Sequence, residues 1–263
     1  MKSEKWMIAI SLGVLLVILL VASQTPGFSP QLLKGSAAGN ADEALTKALQ
    51  SYKNWSSLQG QARLVQYDAD GTNPQQETIS VEIVQPLKAN VAFAASDVKS
   101  YLDQRWISDG ISIYQVNDGD LSYTKNDIPG FAKDLDVIPQ TLANIKQGEV
   151  YNHPFAMLLS NPIMEYIYPV GFPQAPAGAN YKLLGEENVA GRPTWKVELA
   201  IRTDQDIAWI DQATGIILKY NQATGGKKVV EMEFSSIKID QNIPVQEFAP
   251  PDLRKYHATT DPS

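Results

Sequence analysis

The stretch that decides the fold runs from Arg192 to Gly215 and reads RPTWKVELAIRTDQDIAWIDQATG. Apolar residues occupy every second position from Trp195 to Ile201, and Lys196 and Glu198 lie between them. Because side chains alternate between the two faces of a strand, this pattern predicts a strand with one buried and one solvated face. The stretch ends in Thr214-Gly215, a pair typical of turns.

The same two-residue period recurs on both sides of this stretch, for example over residues 79–83 and 230–234. Short glycine-containing connections such as Asp109-Gly110 and Gly225-Gly226 separate such runs. Short turns favour antiparallel hairpins, since parallel strands need longer crossovers. We therefore predict a mainly β protein with helices (α+β), in which about ten strands form one strongly curved antiparallel sheet.

Two regions depart from this period. Apolar residues at three- and four-residue spacing predict an N-terminal helix over 41–57, with Asn40 as its cap. The segment 128–176 contains Pro154 and Pro162, each followed by a very apolar stretch. Proline is tolerated in the first turn of a helix, so we expect short apolar helices that cover an apolar surface.

The N-terminus decides the compartment. Residues 6–22 form an unbroken apolar run that follows Lys2 and Lys5. This run is longer than a usual signal-peptide core and slightly short of the ~20 residues that span a bilayer. Two interpretations stay open: residues 1–23 are a cleaved signal peptide, or the run stays as an anchor in the cytoplasmic membrane. Both place the rest of the chain outside the cytoplasm, in the cell envelope, with 24–39 as a flexible linker.

Composition excludes several classes of function. The chain has 22 Lys and Arg against 29 Asp and Glu, a net charge of −7, which disfavours nucleic-acid binding. It has no cysteine, so disulfides, thiolate metal sites and cysteine nucleophiles are excluded. Two histidines make a multi-histidine zinc site a poor expectation, and we predict neither a metal nor a cofactor.

The polar residues do not suggest a catalytic site. Asp204 and Asp206 lie near a turn, where solvated charges are expected. His153 precedes Pro154 at a predicted helix start, which favours a capping or surface role over catalysis. We therefore predict no catalytic residues and a protein that is not an enzyme.

The order of these parts resembles the LolA/LolB-like superfamily, which includes the lipoprotein carrier LolA and the lipid-sensing N-terminal domain of RseB-type sigma-factor regulators. The resemblance covers roughly residues 40–253, followed by a polar tail over 254–263. It is carried by five local motifs, which are Ser57-Leu58-Gln59-Gly60, Ser108-Asp109-Gly110 with Ile113-Tyr114, Ala190 to Val197, Trp209-Ile210-Asp211-Gln212-Ala213-Thr214-Gly215 and Phe248 to Pro251.

The resemblance implies an unclosed half-barrel whose concave face, covered by an N-terminal helix and short lid helices, accepts acyl chains. A plain packed core without a cavity is the alternative for the same apolar residues. The residues expected to line the cavity and lid are Trp106, Ile113, Phe155, Met157, Leu158, Met164, Ile167, Trp195, Val197, Trp209 and Leu218.

Three functional hypotheses follow. The first is an exported, monomeric carrier that holds acyl chains of lipids or lipoproteins. The second is a membrane-tethered envelope-stress sensor, similar to RseB, that acts through a membrane protein partner. The third is an adaptor with a filled core and no ligand.

Overall fold

The computed structural model describes residues 41–99, 103–175 and 178–259. Their twelve strands form one sheet in the order β12-β6-β5-β4-β3-β2-β1-β11-β10-β9-β8-β7. The two end strands, β12 and β7, are not paired with each other, so the sheet does not close into a barrel. All pairings are antiparallel except that of β12 with β6. The predicted unclosed half-barrel is confirmed, with two strands more than the sequence indicated.

The strands are β1 (Ser57–Gln66), β2 (Gln75–Val84), β3 (Lys88–Ser96), β4 (Gln104–Asp109), β5 (Ser112–Asn117), β6 (Ser122–Asp127), β7 (Asn180–Val189), β8 (Arg192–Ile201), β9 (Asp204–Asp211), β10 (Ile217–Thr224), β11 (Lys227–Ile239) and β12 (His257–Ala258). The α-helices are α1 (Ala41–Leu49) and α2 (Ile163–Ile167). Short 3₁₀ turns span Ser51–Lys53, Gly130–Lys133, Leu135–Val137, Leu142–Asn144, Ala156–Leu158, Val245–Phe248 and Leu253–Lys255.

The N-terminal helix is shorter than predicted. It ends at Leu49 and continues only as the 3₁₀ turn Ser51–Lys53. Tyr52 and Trp55 are nevertheless buried, so the apolar stripe that suggested a longer helix packs into the core without helical geometry. The predicted cap Asn40, the apolar run 6–22 and the linker 24–39 lie outside the described residues.

The register sorts the side chains of the sheet into two faces. On one face, Val197 lies opposite Ala208, which lies opposite Tyr220, which lies opposite Met232. The pairings continue through β1 to β5 and keep apolar residues on this face, which we call the inner face. The other face, the outer face, carries most of the charged residues of the strands. This separation is what the two-residue period predicts.

An ion pair fixes the turn after β9. The carboxylate of Asp211, which is fully buried, accepts two hydrogen bonds of 2.9 Å from the Arg192 guanidinium. It also accepts hydrogen bonds from the Thr214 backbone N–H (2.8 Å) and hydroxyl. Charge-assisted bidentate pairs are among the stronger hydrogen bonds in proteins. The turn therefore has one defined shape, and α1 docks against it.

The docking of α1 leaves no room at Gly215. A Cβ atom there would lie 2.1 Å from the Lys47 carbonyl oxygen, and the Gly215 φ is +83°. Asn54 also donates to the Thr214 carbonyl at 3.3 Å. Glycine is required at this position both by its φ and by the close approach of the helix backbone.

The described part of the predicted polar tail, residues 254–259, contacts the sheet. His257 and Ala258 form β12 beside β6. Tyr256 donates a hydrogen bond to Asp118 and packs with Leu253 against a small apolar cluster on the outer face. Before this tail, Phe248 ends the 3₁₀ turn Val245–Phe248 and is buried.

The inner face contains a buried acid, Glu77, which lies opposite Leu64 and is 3% exposed. Burial raises the pKa of Glu77 to about 7, because a charged carboxylate loses its hydration there.

Within the described part of the chain, no helix is long and apolar enough to span a membrane.

We predict that Gly215→Ala lowers the free energy of unfolding by about 3 kcal/mol or more, since the new methyl group overlaps the Lys47 carbonyl. Gly226→Ala is the matched control, because its φ is +79° but no atom lies within 4 Å of the new Cβ. It should cost only the left-handed strain of about 1–2 kcal/mol. Urea unfolding followed by tryptophan fluorescence measures both, and equal losses would contradict the helix-docking role.

We predict that Glu77→Gln stabilises the protein at alkaline pH. A carboxyl whose pKa is raised on folding contributes stability below its ordinary value near 4.5, and this contribution is lost as pH rises through about 7. Glutamine cannot ionise, so the variant should gain about 2 kcal/mol over wild type between pH 5 and pH 8. The control is Glu82→Gln, on the outer face of the same strand. A difference between variant and wild type that does not depend on pH would contradict this.

Candidate functional site

The inner face is covered by residues 128–175, which we call the lid segment. It consists of 3₁₀ turns and the five-residue helix α2, and it contains no strand. Its apolar side chains fill the space over the sheet: Phe155, Ile163 and Ile167 are fully buried and Tyr168 is 1% exposed. In this closed state the lid and the inner face form one continuous apolar cluster. The prolines at 154 and 162 do precede short helical turns, as the sequence predicted.

A stack of rings joins the lid segment to the region after α1. The His153 imidazole stacks on Tyr168 at 4.0 Å between ring centroids and meets Tyr52 edge-on at 5.7 Å, while Trp55 lies 5.3 Å from Tyr168. His153 is 3% exposed, so a surface role is wrong, whereas its Nδ1 accepts a hydrogen bond from the Ala156 N–H (3.4 Å), in line with the predicted capping role. Burial lowers the pKa of His153 to about 4, and the ring is neutral at physiological pH.

Several polar atoms of this stack lack hydrogen bonds. Among the described residues, Trp55 Nε1, His153 Nε2, Asn161 Nδ2 and the Tyr168 hydroxyl are buried without a partner. Each such group costs roughly 1–3 kcal/mol relative to hydration. Apolar packing therefore holds the lid segment in place, although burying these unpartnered polar atoms costs free energy. Water could hydrate the same atoms if the lid segment moved away from the sheet.

One side chain ties the lid segment together. Gln174 accepts a hydrogen bond from the Tyr151 N–H (2.8 Å) and donates to the carbonyls of Tyr151 (2.6 Å) and Val170 (2.7 Å). Gln174 is buried, so these bonds are shielded from water. They hold the backbone at Tyr151 close to the backbone at Val170, and these two residues are the ends of the most apolar part of the lid segment. No sequence pattern points to this role, because a lone glutamine after a proline has no distinctive spacing.

Most residues expected to line the cavity and lid lie where the sheet and lid meet. Trp106, Ile113, Trp195, Val197 and Leu218 belong to the inner face by register, whereas Phe155, Leu158, Met164 and Ile167 belong to the lid segment. Trp195 and Leu158 are partly exposed and the others are buried. Their binding role remains a proposal.

Two of the expected residues lie elsewhere. Met157 is 58% exposed and points away from the apolar interior. Trp209 lies on the outer face, opposite Lys196 and Lys219, whose ammonium groups sit 4.9 Å and 5.2 Å from its ring centroid. The indole N–H donates to Glu187 at 2.7 Å. Trp209 was misplaced because Ile210 and Trp209 are both apolar, and the period alone does not say which of them faces inward.

Asp206 is not the solvated turn charge that the sequence suggested. It lies on the inner face, opposite Leu199 and Gln222. Burial raises its pKa to about 6, an effect opposed by hydrogen bonds that Tyr220 and Gln222 donate to it. The two-residue period could have revealed this position, because Asp206 lies two residues before the buried Ala208 and therefore on the same face of the strand.

Four aromatic rings pack against one another near Asp206, which accepts a hydrogen bond from one of them, Tyr220. Tyr166 lies 5.3 Å from Tyr220 between ring centroids, and Phe172 lies 6.5 Å from Tyr220 and 5.8 Å from Tyr181. The Tyr181 hydroxyl donates to the Phe172 carbonyl. Sheet and lid segment both contribute to this group, so it lies at the border of the covered surface.

No group of three or more His, Asp or Glu side chains within the described ranges could hold a metal ion. A separate depression of about 370 Å³ lies on the outer face, between residues such as Gln59, Ser80 and Lys238. Its polar lining does not suit an apolar ligand.

Comparison with known proteins gives one family match. Residues 159–252 match the family model of the MucB/RseB N-terminal domain. The matched region runs from the end of the lid segment through β7–β11 and includes the Asp211 turn. A comparison with curated proteins finds no match.

Solved structures with a similar chain include the Pseudomonas aeruginosa MucA/MucB complex, at 13% identity and a TM-score of 0.44, covering 81% of this chain and 62% of that one. The Mycobacterium tuberculosis lipoprotein LppX is 14% identical with a TM-score of 0.41, covering 78% and 100%. A LolA superfamily protein from Nitrosomonas europaea is 12% identical with a TM-score of 0.34, covering 80% and 97%. This chain spans less than two thirds of the length of the MucB chains.

The family match confirms the predicted resemblance to the N-terminal domain of RseB-type regulators over residues 159–252.

Proposed function

We propose that the protein is an exported, non-enzymatic binding protein that holds acyl chains of lipids or lipoproteins against the inner face of its sheet. The observation that carries this proposal is the construction of the lid. The apolar inner face is covered by α1, by short 3₁₀ turns and by the five-residue helix α2, not by a second sheet. Segments with few backbone hydrogen bonds open at lower free energy than strands do.

Binding requires the lid segment to move. In the closed state Phe155, Ile163 and Ile167 occupy the space that acyl chains would take. An entering chain replaces their contacts with the sheet, and each buried CH₂ group contributes about 0.8 kcal/mol. The unpartnered atoms of the His153–Tyr168 stack regain water when the lid opens, which lowers the cost of opening.

The family match favours a second role for the same fold. Residues 159–252 match a domain of regulators, and the acyl-binding face would then sense lipid signals in the envelope and act through a membrane protein partner. The two roles differ in the state of the N-terminus. A shuttle is released by cleavage after residue 23, whereas a tethered sensor retains residues 6–22.

We predict that the full chain, exported by its own N-terminus and purified without detergent, carries a lipid or acylated peptide in native mass spectrometry. An adduct that dissociates as such a molecule supports acyl-chain binding. A clean apo mass that persists after adding phospholipid would favour the filled-core adaptor and contradict the proposal. The mass of the mature chain also separates the two roles, since a start at Gln24 counts against the tethered sensor.

We predict that Gln174→Ala speeds the entry of an acyl probe, because it removes three hydrogen bonds that hold the lid segment. The rate of fluorescence change on mixing with a fluorescent fatty acid should rise severalfold, at roughly the cost of one to two hydrogen bonds. Gln205→Ala is the matched control, since Gln205 is an exposed residue of β9 that hydrogen bonds to Glu198. Equal rates in both variants would contradict a moving lid.

A further inference from the structure

The two histidines of the chain lie in opposite surroundings. His257 is exposed on β12, whereas His153 is 3% exposed and belongs to the ring stack that joins the lid segment to the region after α1. Histidine is the side chain whose ordinary pKa lies closest to neutral pH, so it gains or loses its charge over a modest change of pH. A proton bound by His153 would act directly on the attachment of the lid segment.

Both ring nitrogens of His153 require a neutral imidazole. Nδ1 accepts a hydrogen bond of 3.4 Å from the Ala156 N–H, at the start of the 3₁₀ turn Ala156–Leu158. Nε2 therefore carries the proton of the neutral ring, and it is buried without a hydrogen-bond partner. A second proton can bind only at Nδ1, where it would point at the Ala156 N–H. Protonation thus removes the cap of this turn and places two donors against each other.

The surroundings of His153 offer a charged ring little compensation. The groups that pack on it are the phenol rings of Tyr168, stacked at 4.0 Å, and of Tyr52, edge-on at 5.7 Å. The charge beside Tyr52 is the ammonium of Lys53, 5.4 Å from the Tyr52 ring centroid, and it has the wrong sign. Attraction of an imidazolium to a ring face offsets only part of the hydration that a buried charge loses.

The direction of the effect follows from the difference between the closed and the open lid. Burial lowers the pKa of His153 to about 4 in the closed state, and hydration in the open state returns it towards 6.5. The open state therefore binds the proton more readily, so closure is favoured above pH 6.5 and weakens as pH falls towards 4. Between pH 7.5 and pH 5 the ratio of closed to open lid should fall roughly thirtyfold through His153.

Three acids of the inner face and lid segment titrate in the opposite sense. Burial raises the pKa of Glu77 to about 7 and that of Asp206 to about 6, and it also raises the pKa of Glu165. Each of these carboxylates becomes neutral as pH falls, which favours its buried position. The effect of His153 is therefore measured as the difference between the wild type and a variant without the imidazole, because the acids are common to both.

We propose that proton uptake by His153 opens the lid segment, so that a fall in pH weakens the closure of the inner face through this one side chain. The hydrogen bond from Ala156 and the buried, unpartnered Nε2 carry the inference. It adds a form of regulation to the proposed function. The opening can be tested without a ligand, and only its consequence for acyl chains rests on the proposed function.

Hydrogen exchange of the full chain, followed by mass spectrometry, tests the opening. Wild type and His153→Phe are compared with each other at pH 7.5 and again at pH 5, which cancels the intrinsic pH dependence of amide exchange. Phenylalanine keeps a ring in the stack but cannot bind a proton. On going to pH 5, we expect the protection of the lid-segment amides to fall roughly thirtyfold more in wild type than in the variant. Amides of β8 should respond alike in both proteins.

His257→Gln is the matched control, because it removes the exposed histidine and should behave as wild type. His153→Phe leaves the Ala156 N–H without its acceptor, so its lid protection is lower at both pH values and only the change with pH is compared. His153→Asn, which keeps an acceptor and is neutral at both pH values, serves as a second variant if the first does not fold. Equal changes in wild type and the His153 variants would overturn the proposal.

A second measurement connects the opening to acyl chains. A fluorescent fatty alcohol carries no ionisable group, and acidification from pH 7.5 to pH 5 should speed its entry more in wild type than in His153→Phe. Opening that depends on His153 without any binding of this probe would support the pH response and contradict acyl-chain binding. Entry that responds to pH equally in both proteins would overturn the pH response and leave acyl-chain binding intact.

Discussion

The whole structure depends on one constraint: a single large sheet with an apolar face must have that face covered. The inner face presents apolar side chains from β1–β5 and β8–β11, and exposing it to water would cost roughly 25 cal/mol for each square ångström. A second sheet would cover it permanently. This chain instead uses α1 and the lid segment, which differ in how firmly they are attached.

That difference divides the cover into a fixed and a movable part. The helix α1 is locked by backbone contact with the turn at Gly215, and that turn is locked in its own right by the Asp211–Arg192 pair. The lid segment relies on side-chain packing and on Gln174, and it buries polar atoms of Trp55, His153 and Tyr168 without partners. Under the proposed function, an acyl chain enters through the lid segment, while the α1 side of the half-barrel stays in place.

The sequence predicted strands well where apolar and polar residues alternate regularly, because one face of such a strand is buried and the other is solvated. The alternation from Trp195 to Ile201 predicts β8 correctly, and the turn at Thr214-Gly215 lies where its residues require. It was less informative where long-range register decides orientation. Trp209 and Ile210 are adjacent and both apolar, and only the pairing with Lys196 and Lys219 shows that the tryptophan faces outward.

The candidate site shows the same limit. Asp206 and His153 look like surface residues in the sequence, because an acid near a turn and a histidine before proline usually are. His153 is buried against Tyr52, a residue far away in the chain, and Asp206 is partly buried and accepts a hydrogen bond from Tyr220 on the neighbouring strand. A local pattern cannot report such contacts. The end of α1 was overestimated for the related reason that apolar spacing persists through Trp55 although the backbone leaves helical geometry.

The position of β1 between β2 and β11 has a consequence for the order of events in synthesis. Ser56, which leads into β1, hydrogen bonds to Asp240, a residue 184 positions later. The helix α1 likewise has no docking surface until the turn at Gly215 exists. Since a chain emerges from its N-terminus, its first helix and strand must wait for its last strands before they can be enclosed. Until then, the edge of β1 that pairs with β11 stays open, although its other edge can already pair with β2.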